Sequence, residues 1–157
     1  MKSASLVRDI IRWVLGLLLL WAAVSKLANP TEFLASLYAY QLPVPRDLLK
    51  LAAVVLPWTE LLCGLLLLGR MWPETALTVA AVLFVIFVVA TGQAWARHLD
   101  ISCGCFDFRI FGLDASRSKV IHFLESVGFA FIRNLALATA ACFLLRKEIV
   151  APRTAAA

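Results

Sequence analysis

The stretch "LAAVVLPWTELLCGLLLL", Leu51 to Leu68, carries a single charge, Glu60, in an otherwise apolar run. Extended from Asp47 to Gly69 it reaches the roughly 20 residues that an α-helix needs to cross a hydrocarbon layer. Three comparable runs surround it. One extends from about Leu6 to Ala28 and stops at Asn29-Pro30, because the residue before a proline avoids the α region. Another opens at Pro73-Glu74, proline suiting a first helical turn, and reaches Arg97. The last begins near Ser116, with Asp114 or Ser116 as a cap, and ends at Arg146-Lys147. The expected spans are residues 6–28, 47–69, 74–97 and 116–145.

The whole composition agrees. Of 157 residues 62% are hydrophobic and 16% charged, with mean hydropathy +0.89, whereas a soluble domain is about 25% charged. This is an integral membrane protein of one all-α domain, residues 1–150. Short connections predict an up-down-up-down bundle of four transmembrane helices, followed by a disordered alanine-rich tail at 151–157. The N-terminus has a basic start, an apolar run and small residues near Ala23 and Ser25, as a signal peptide does. Its run is long enough to span, so it is expected to be retained as the first helix.

The net charge of +5 is scattered over helix ends, without the basic patch and interleaved aromatics that nucleic acid requires. Its partner is the lipid bilayer. Lys2, Arg8, Arg12, Arg70, Arg146, Lys147 and Arg153 fall at one end of the expected spans. Lys26, Arg46, Lys50, Arg97, Arg109, Arg117 and Lys119 fall at the other, and the count ties. The basic clusters at the chain ends favour both termini in the cytoplasm, which puts the 98–115 loop outside. Trp13 and Trp72 then sit at the inner interface, with Tyr38, Tyr40 and Trp95 at the outer one.

That loop contains "HLDISCGCFDFRIFG", His98 to Gly112. Bridging Cys103 and Cys105 requires their Cα atoms to come within about 4.4–6.8 Å, and Gly104 permits the necessary bend. A bridge over so small a loop is strained and easily reduced, a property of exchange-active disulfides. The pair therefore reads as a redox couple at the membrane surface. A metal reading stays open: Cys103, Cys105, His98 and His122 make a Cys2His2 set for zinc, and the two thiolates alone suit Cu(I). So does a third, in which the loop only docks a partner as part of an assembly subunit. Phe106, Phe108, Ile110 and Phe111 would keep the loop at the interface or face that partner.

Cys63 and Cys142 lie toward the same end of two spans and form a possible second thiol pair, although buried cysteines are usually small apolar fillers. Glu60 and Arg133 both fall near mid-span, where a lone charge is costly. They are expected to pair or join one network with Asn134 and Thr59, either fixing two helices or letting Glu60 handle protons or a quinone headgroup. Pro57, one turn earlier, removes a helix donor. His122 and Glu125 share a face, and His122 could lower a loop thiol's pKa. Lys26 is expected to snorkel to the interface.

"SKLANPTEFLASLYAYQLP", "LPWTELLCGLLLLG" and "CGCF", in that order over four spans, resemble the MauE family of the DoxX-like membrane group. The resemblance implies a four-helix protein of the bacterial inner membrane, connected with periplasmic thiol-disulfide chemistry. It further implies maturation of a disulfide-rich enzyme beside a thioredoxin-like partner, and in relatives a link to quinones. By position it puts the redox role on Cys103 and Cys105, with Glu60 and Lys26 at polar positions of the pattern. The expected catalytic set is thus Cys103, Cys105, His122 and Glu60, with Glu60 and Arg133 toward a quinone. One departure is Asp107, where the family commonly has glycine, which alters the expected turn. The function this implies is a membrane thiol-disulfide oxidoreductase or electron relay.

Overall fold

The computed structural model describes residues 2–99 and 126–150. Among these, all regular structure is helical: α1 Lys2–Ala28, α2 Pro30–Ala39, α3 Arg46–Leu68, α4 Pro73–Ala96 and α5 Val127–Val150. Four of the helices are long and apolar enough to cross a membrane: α1 from Leu6, α3, α4, and α5 as far as Lys147. The ends of α3 and α4 fall within a residue of those expected from sequence.

Local chemistry sets the boundaries. Asn29 ends α1 and Pro30 opens α2, with Glu32 in the first turn facing the positive helix end. The α3–α4 turn closes by a Schellman-type bond, Met71 N–H donating to the Leu66 carbonyl at 3.2 Å. Arg70 takes the left-handed position of that motif at φ 56°, a conformation that a non-glycine residue adopts at a cost of about 1 kcal/mol. The end of α4 repeats the device: Leu99 N–H donates to the Ala94 carbonyl at 3.0 Å, with His98 at φ 53°. Ser126 starts α5, its Oγ accepting from Phe129 N–H at 3.4 Å. The described part of the fourth span thus opens at Val127 after a bend at Ser126; the expected start near Ser116 and the caps Asp114 and Ser116 lie outside the described residues.

The short helix α2 was not foreseen and occupies what read as a plain connection. It is amphipathic enough to bury only Phe33, which lies against the end of α1.

The helices pair α1 with α3 and α4 with α5. A Cβ built on Gly64 would lie 2.9 Å from Leu20 Cγ and 3.0 Å from the Gly16 carbonyl oxygen. Backbones that close need glycine on both sides. The α1–α3 contacts run in opposite order, Gly16 near Leu68, Leu20 near Gly64, and Lys26 against Glu60, so these helices are antiparallel. In the other pair a Cβ on Gly92 would come 2.9 Å from the Phe131 ring. Alanines at Ala130, Ala138 and Ala141 on α5, and Ala76 and Ala80 on α4, are buried beside Leu77, Phe84 and Leu144. Large aliphatic and aromatic side chains such as Val54, Trp58, Leu62, Val89 and Ile132 point outward. Small and polar residues inside, with bulky apolar ones outside, is the pattern of a bundle solvated by lipid.

Candidate functional site

The inner face of α1 runs Leu15, Leu19, Ala22 and Lys26, all buried, at steps of four, three and four. That of α3 runs Ala53, Pro57, Glu60, Cys63 and Leu67. Helical periodicity therefore directs Lys26 and Glu60 inward, and the glycine contact brings the two faces together. Lys26 Nζ donates to Glu60 Oε1 in an ion pair whose side chains are both fully buried. The ammonium also lies 4.7 Å from the centre of the Phe87 ring and 5.1 Å from that of Phe33, within cation–π range. One carboxylate and two aromatic faces, from α2, α3 and α4, thus surround a cation from α1.

This corrects one expectation and sharpens another. Lys26 does not snorkel, because its register points it to the bundle interior and not along the lipid face. Of the two arrangements expected for Glu60 and Arg133, a pair or one shared network, the ion pair that Glu60 makes among the described residues is with Lys26, because α3 packs on α1 whereas α5 packs chiefly on α4. Depth alone suggested Arg133; the facing helix decided otherwise. Arg133 and Asn134 nevertheless line, with Lys26 and Glu60, one cavity of about 20 Å³ closed by Phe84, Phe87 and leucines. Thr59 takes no part, since its hydroxyl donates to the Leu56 carbonyl of its own helix at 2.8 Å. Pro57 is buried one turn before Glu60 within an α3 that continues through it.

Glu60 Oε2 and Asn134 Nδ2 are buried with no hydrogen-bond partner among the described residues, an acceptor and a donor lining the same cavity. Its volume is that of about one water, which needs at least 10–15 Å³ and polar partners.

The thiols divide. Cys63 is buried and donates to the Ala76 carbonyl at 3.1 Å, tying α3 to α4 within the apolar core. Cys142 is exposed and free, one residue beyond buried Ala141 and so rotated about 100° from it toward lipid. The structure thus does not bring the possible second thiol pair together, and Cys63 sits among apolar core residues. Cys103, Cys105, His122 and Glu125 lie outside the described residues, as do the loop aromatics. His98 is exposed at the α4 stop, and among the described residues no His, Cys, Asp and Glu side chains cluster as a metal site.

Both stems of the thiol segment are tied to the bundle. Leu99, which ends one, and Val127, which begins the helix after the other, pack around Tyr40 and Ala94. Gln93 Nε2 donates to the Tyr40 carbonyl at 2.9 Å, and Arg97 Nη1 to the Gln41 carbonyl at 3.3 Å. Trp95 stacks on Phe131 with ring centres 5.5 Å apart. The segment 100–125 thus leaves and re-enters the bundle at the end that holds the C-terminus of α2. Lys26, through Phe33, supports that same helix from below.

The family model described as methylamine utilisation protein MauE matches residues 4–147, which include all four apolar helices. The chain belongs to the MauE family. It is similar to methylamine utilization protein MauE of Methylophilus methylotrophus, 38% identical over 91 residues, which are 57% of this chain and 47% of that protein. The chain thus matches about half the length of that relative. No solved structure matches. Membership of the MauE family and the four apolar helices together make this a multi-pass membrane protein.

Proposed function

We propose that this MauE-family protein is a membrane thiol-disulfide oxidoreductase or relay of the bacterial inner membrane. Its Cys103/Cys105 pair faces the periplasm and exchanges with a thioredoxin-like partner during maturation of a disulfide-bearing enzyme, in methylamine utilisation or a related pathway. The observation that carries the reading is the Cys-Gly-Cys element in the segment between α4 and α5. Support comes from the family match and from the Tyr40 cluster, which gives that segment two fixed ends at one end of the bundle.

In the exchange a thiolate of the partner attacks one sulfur of the Cys103–Cys105 disulfide, forming a mixed disulfide and releasing the other cysteine as thiolate. The partner's second thiolate then attacks its own sulfur in the mixed disulfide. Two electrons pass to the pair, which ends as two thiols, and the partner ends oxidised. A second disulfide-bearing protein reverses these steps and restores the pair. His122, on the sequence-expected face toward the loop, favours the thiolate form. Glu60, buried beside Lys26, either holds the scaffold or supplies a proton.

Labelling of intact cells with a bulky membrane-impermeant maleimide tests the reading, in a Cys142→Ala background that removes the exposed thiol. Cys103 and Cys105 should label from outside only after mild reduction, and each single serine variant should leave the other thiol reactive without reductant. Full labelling of the wild type before reduction would defeat the proposal. Reactivity gained only on adding a chelator would favour the metal reading instead.

A further inference from the structure

At the end of the bundle opposite the thiol stems, α1 begins, α3 ends and α4 begins. Arg8, Asp9 and Arg12 of α1 meet Arg70 of the α3–α4 turn around a cavity of about 30 Å³, with Leu77 and Leu144 as its floor. Asp9 Oδ1 accepts from Arg12 Nη2 at 3.1 Å and lies 3.8 Å from Arg70 Nη1. One carboxylate thus faces two guanidinium groups, with Arg8 a third in the lining, and the described lining carries a net charge of +2 at neutral pH. Arg12 is 93% buried on the 7% exposure of the residue, and its Nε has no hydrogen-bond partner among the described residues.

A cation buried to that degree with a spare donor calls for an acceptor. The cavity holds about two water-sized oxygens, and guanidinium groups bind phosphate in two-pronged fashion. The level is right for lipid: Met71 and Trp72 beside Arg70, and Trp13 beside Arg12, are exposed, and tryptophan marks the membrane–water interface. Basic pockets between transmembrane helices at that level take lipid headgroups.

We propose that the Arg8/Arg12/Arg70 cavity is a phosphate-binding site that seats the headgroup phosphate of an anionic phospholipid. Two phosphate oxygens enter between Arg12 and Arg70, Arg8 closes over them, and the acyl chains follow the outer face of α1. The positive lining repels the choline of a zwitterionic headgroup, so the site distinguishes phosphatidylglycerol from phosphatidylcholine.

The test is native mass spectrometry of the purified full chain in detergent, titrated with phosphatidylglycerol or with phosphatidylcholine of equal chain length. Phosphatidylglycerol should be retained about tenfold more tightly, the scale of a charge-assisted contact. The double variant R8Q/R70Q, whose side chains are solvent-accessible, should abolish the preference while keeping its helical circular dichroism; R12Q should do the same if it folds. Equal retention of the two lipids, or a preference that survives in R8Q/R70Q, overturns the proposal. Millimolar inorganic phosphate forms a separate arm. If it leaves the lipid bound, the phospholipid is the ligand; if it displaces the lipid fully, the site takes free phosphate and the lipid assignment fails.

Discussion

Replacing Glu60 by leucine should cost this protein more than any other single change in its interior. Among the described residues the carboxylate is the only anion of the cavity lining, facing Lys26 across the ion pair and sharing the lining with Arg133. Removing one partner of a buried pair costs about 3–5 kcal/mol. The Phe33 and Phe87 faces return about 0.5–2 kcal/mol to the abandoned ammonium, already present in the native state and therefore no new compensation. Glu60→Leu should accordingly destabilise by about 4 kcal/mol, close to three decades in the folding equilibrium. Lys26→Met should cost less, about 2–3 kcal/mol, because Arg133 and Asn134 remain to face the carboxylate. The double variant removes both charges and should recover about 2 kcal/mol relative to Glu60→Leu alone, since paired apolar replacements approach neutrality. Reversible unfolding in mixed micelles, followed by tryptophan fluorescence, gives the cycle. A loss below about 1 kcal/mol for Glu60→Leu, or a double variant equal to the sum of the singles, refutes the reasoning.

Gly64→Ala should destabilise by about 1–3 kcal/mol by overpacking, because its Cβ meets the Gly16 carbonyl oxygen at 3.0 Å; an unchanged unfolding midpoint would show that α1 and α3 have room to separate. Copper-phenanthroline oxidation of a Cys103→Ser/Cys105→Ser variant should give no intramolecular disulfide, since Cys63 faces α4 and Cys142 faces lipid; a gel-shifted oxidised monomer would contradict that arrangement. Gln93→Leu removes the donor to the Tyr40 carbonyl and should cost about 1 kcal/mol, read in the same unfolding assay, with a wild-type midpoint counting against the tether.

The four spans were legible because a membrane imposes a length and a composition that few other constraints can mimic. Proline punctuation then fixed the openings of α2 and α4, although α2 itself went unread. Its ten residues bury only Phe33, too little for an apolar stripe to stand out. The polar centre was half legible. Glu60, Arg133 and Asn134 were identified by depth and do line one cavity, but depth cannot tell which helix faces which. The missing signal lay in two places: the Leu15-Leu19-Ala22-Lys26 register, which turns Lys26 inward, and Gly16 with Gly64, which mark the close helix pair. The arginine cavity escaped for a related reason. Its residues come from α1 and the α3–α4 turn, and each read singly as an orienting charge.

The buried pair and the thiol segment meet in α2. Lys26 holds Phe33 from one side, and Tyr40, at the other end of that helix, carries the stems from which the segment 100–125 departs. Under the proposed function, loss of the pair would impair thiol exchange by one of two routes: by displacing α2 and with it the stems, or by removing a carboxylate that supplies a proton to a leaving thiolate. Stability separates them. The Lys26→Met/Glu60→Leu double variant removes both members of the pair and leaves Arg133 as the remaining charge of the described lining, so a scaffold role predicts that the proposed disulfide exchange returns as far as the unfolding midpoint does. A proton role predicts a folded protein whose exchange rate stays at the level of Glu60→Leu.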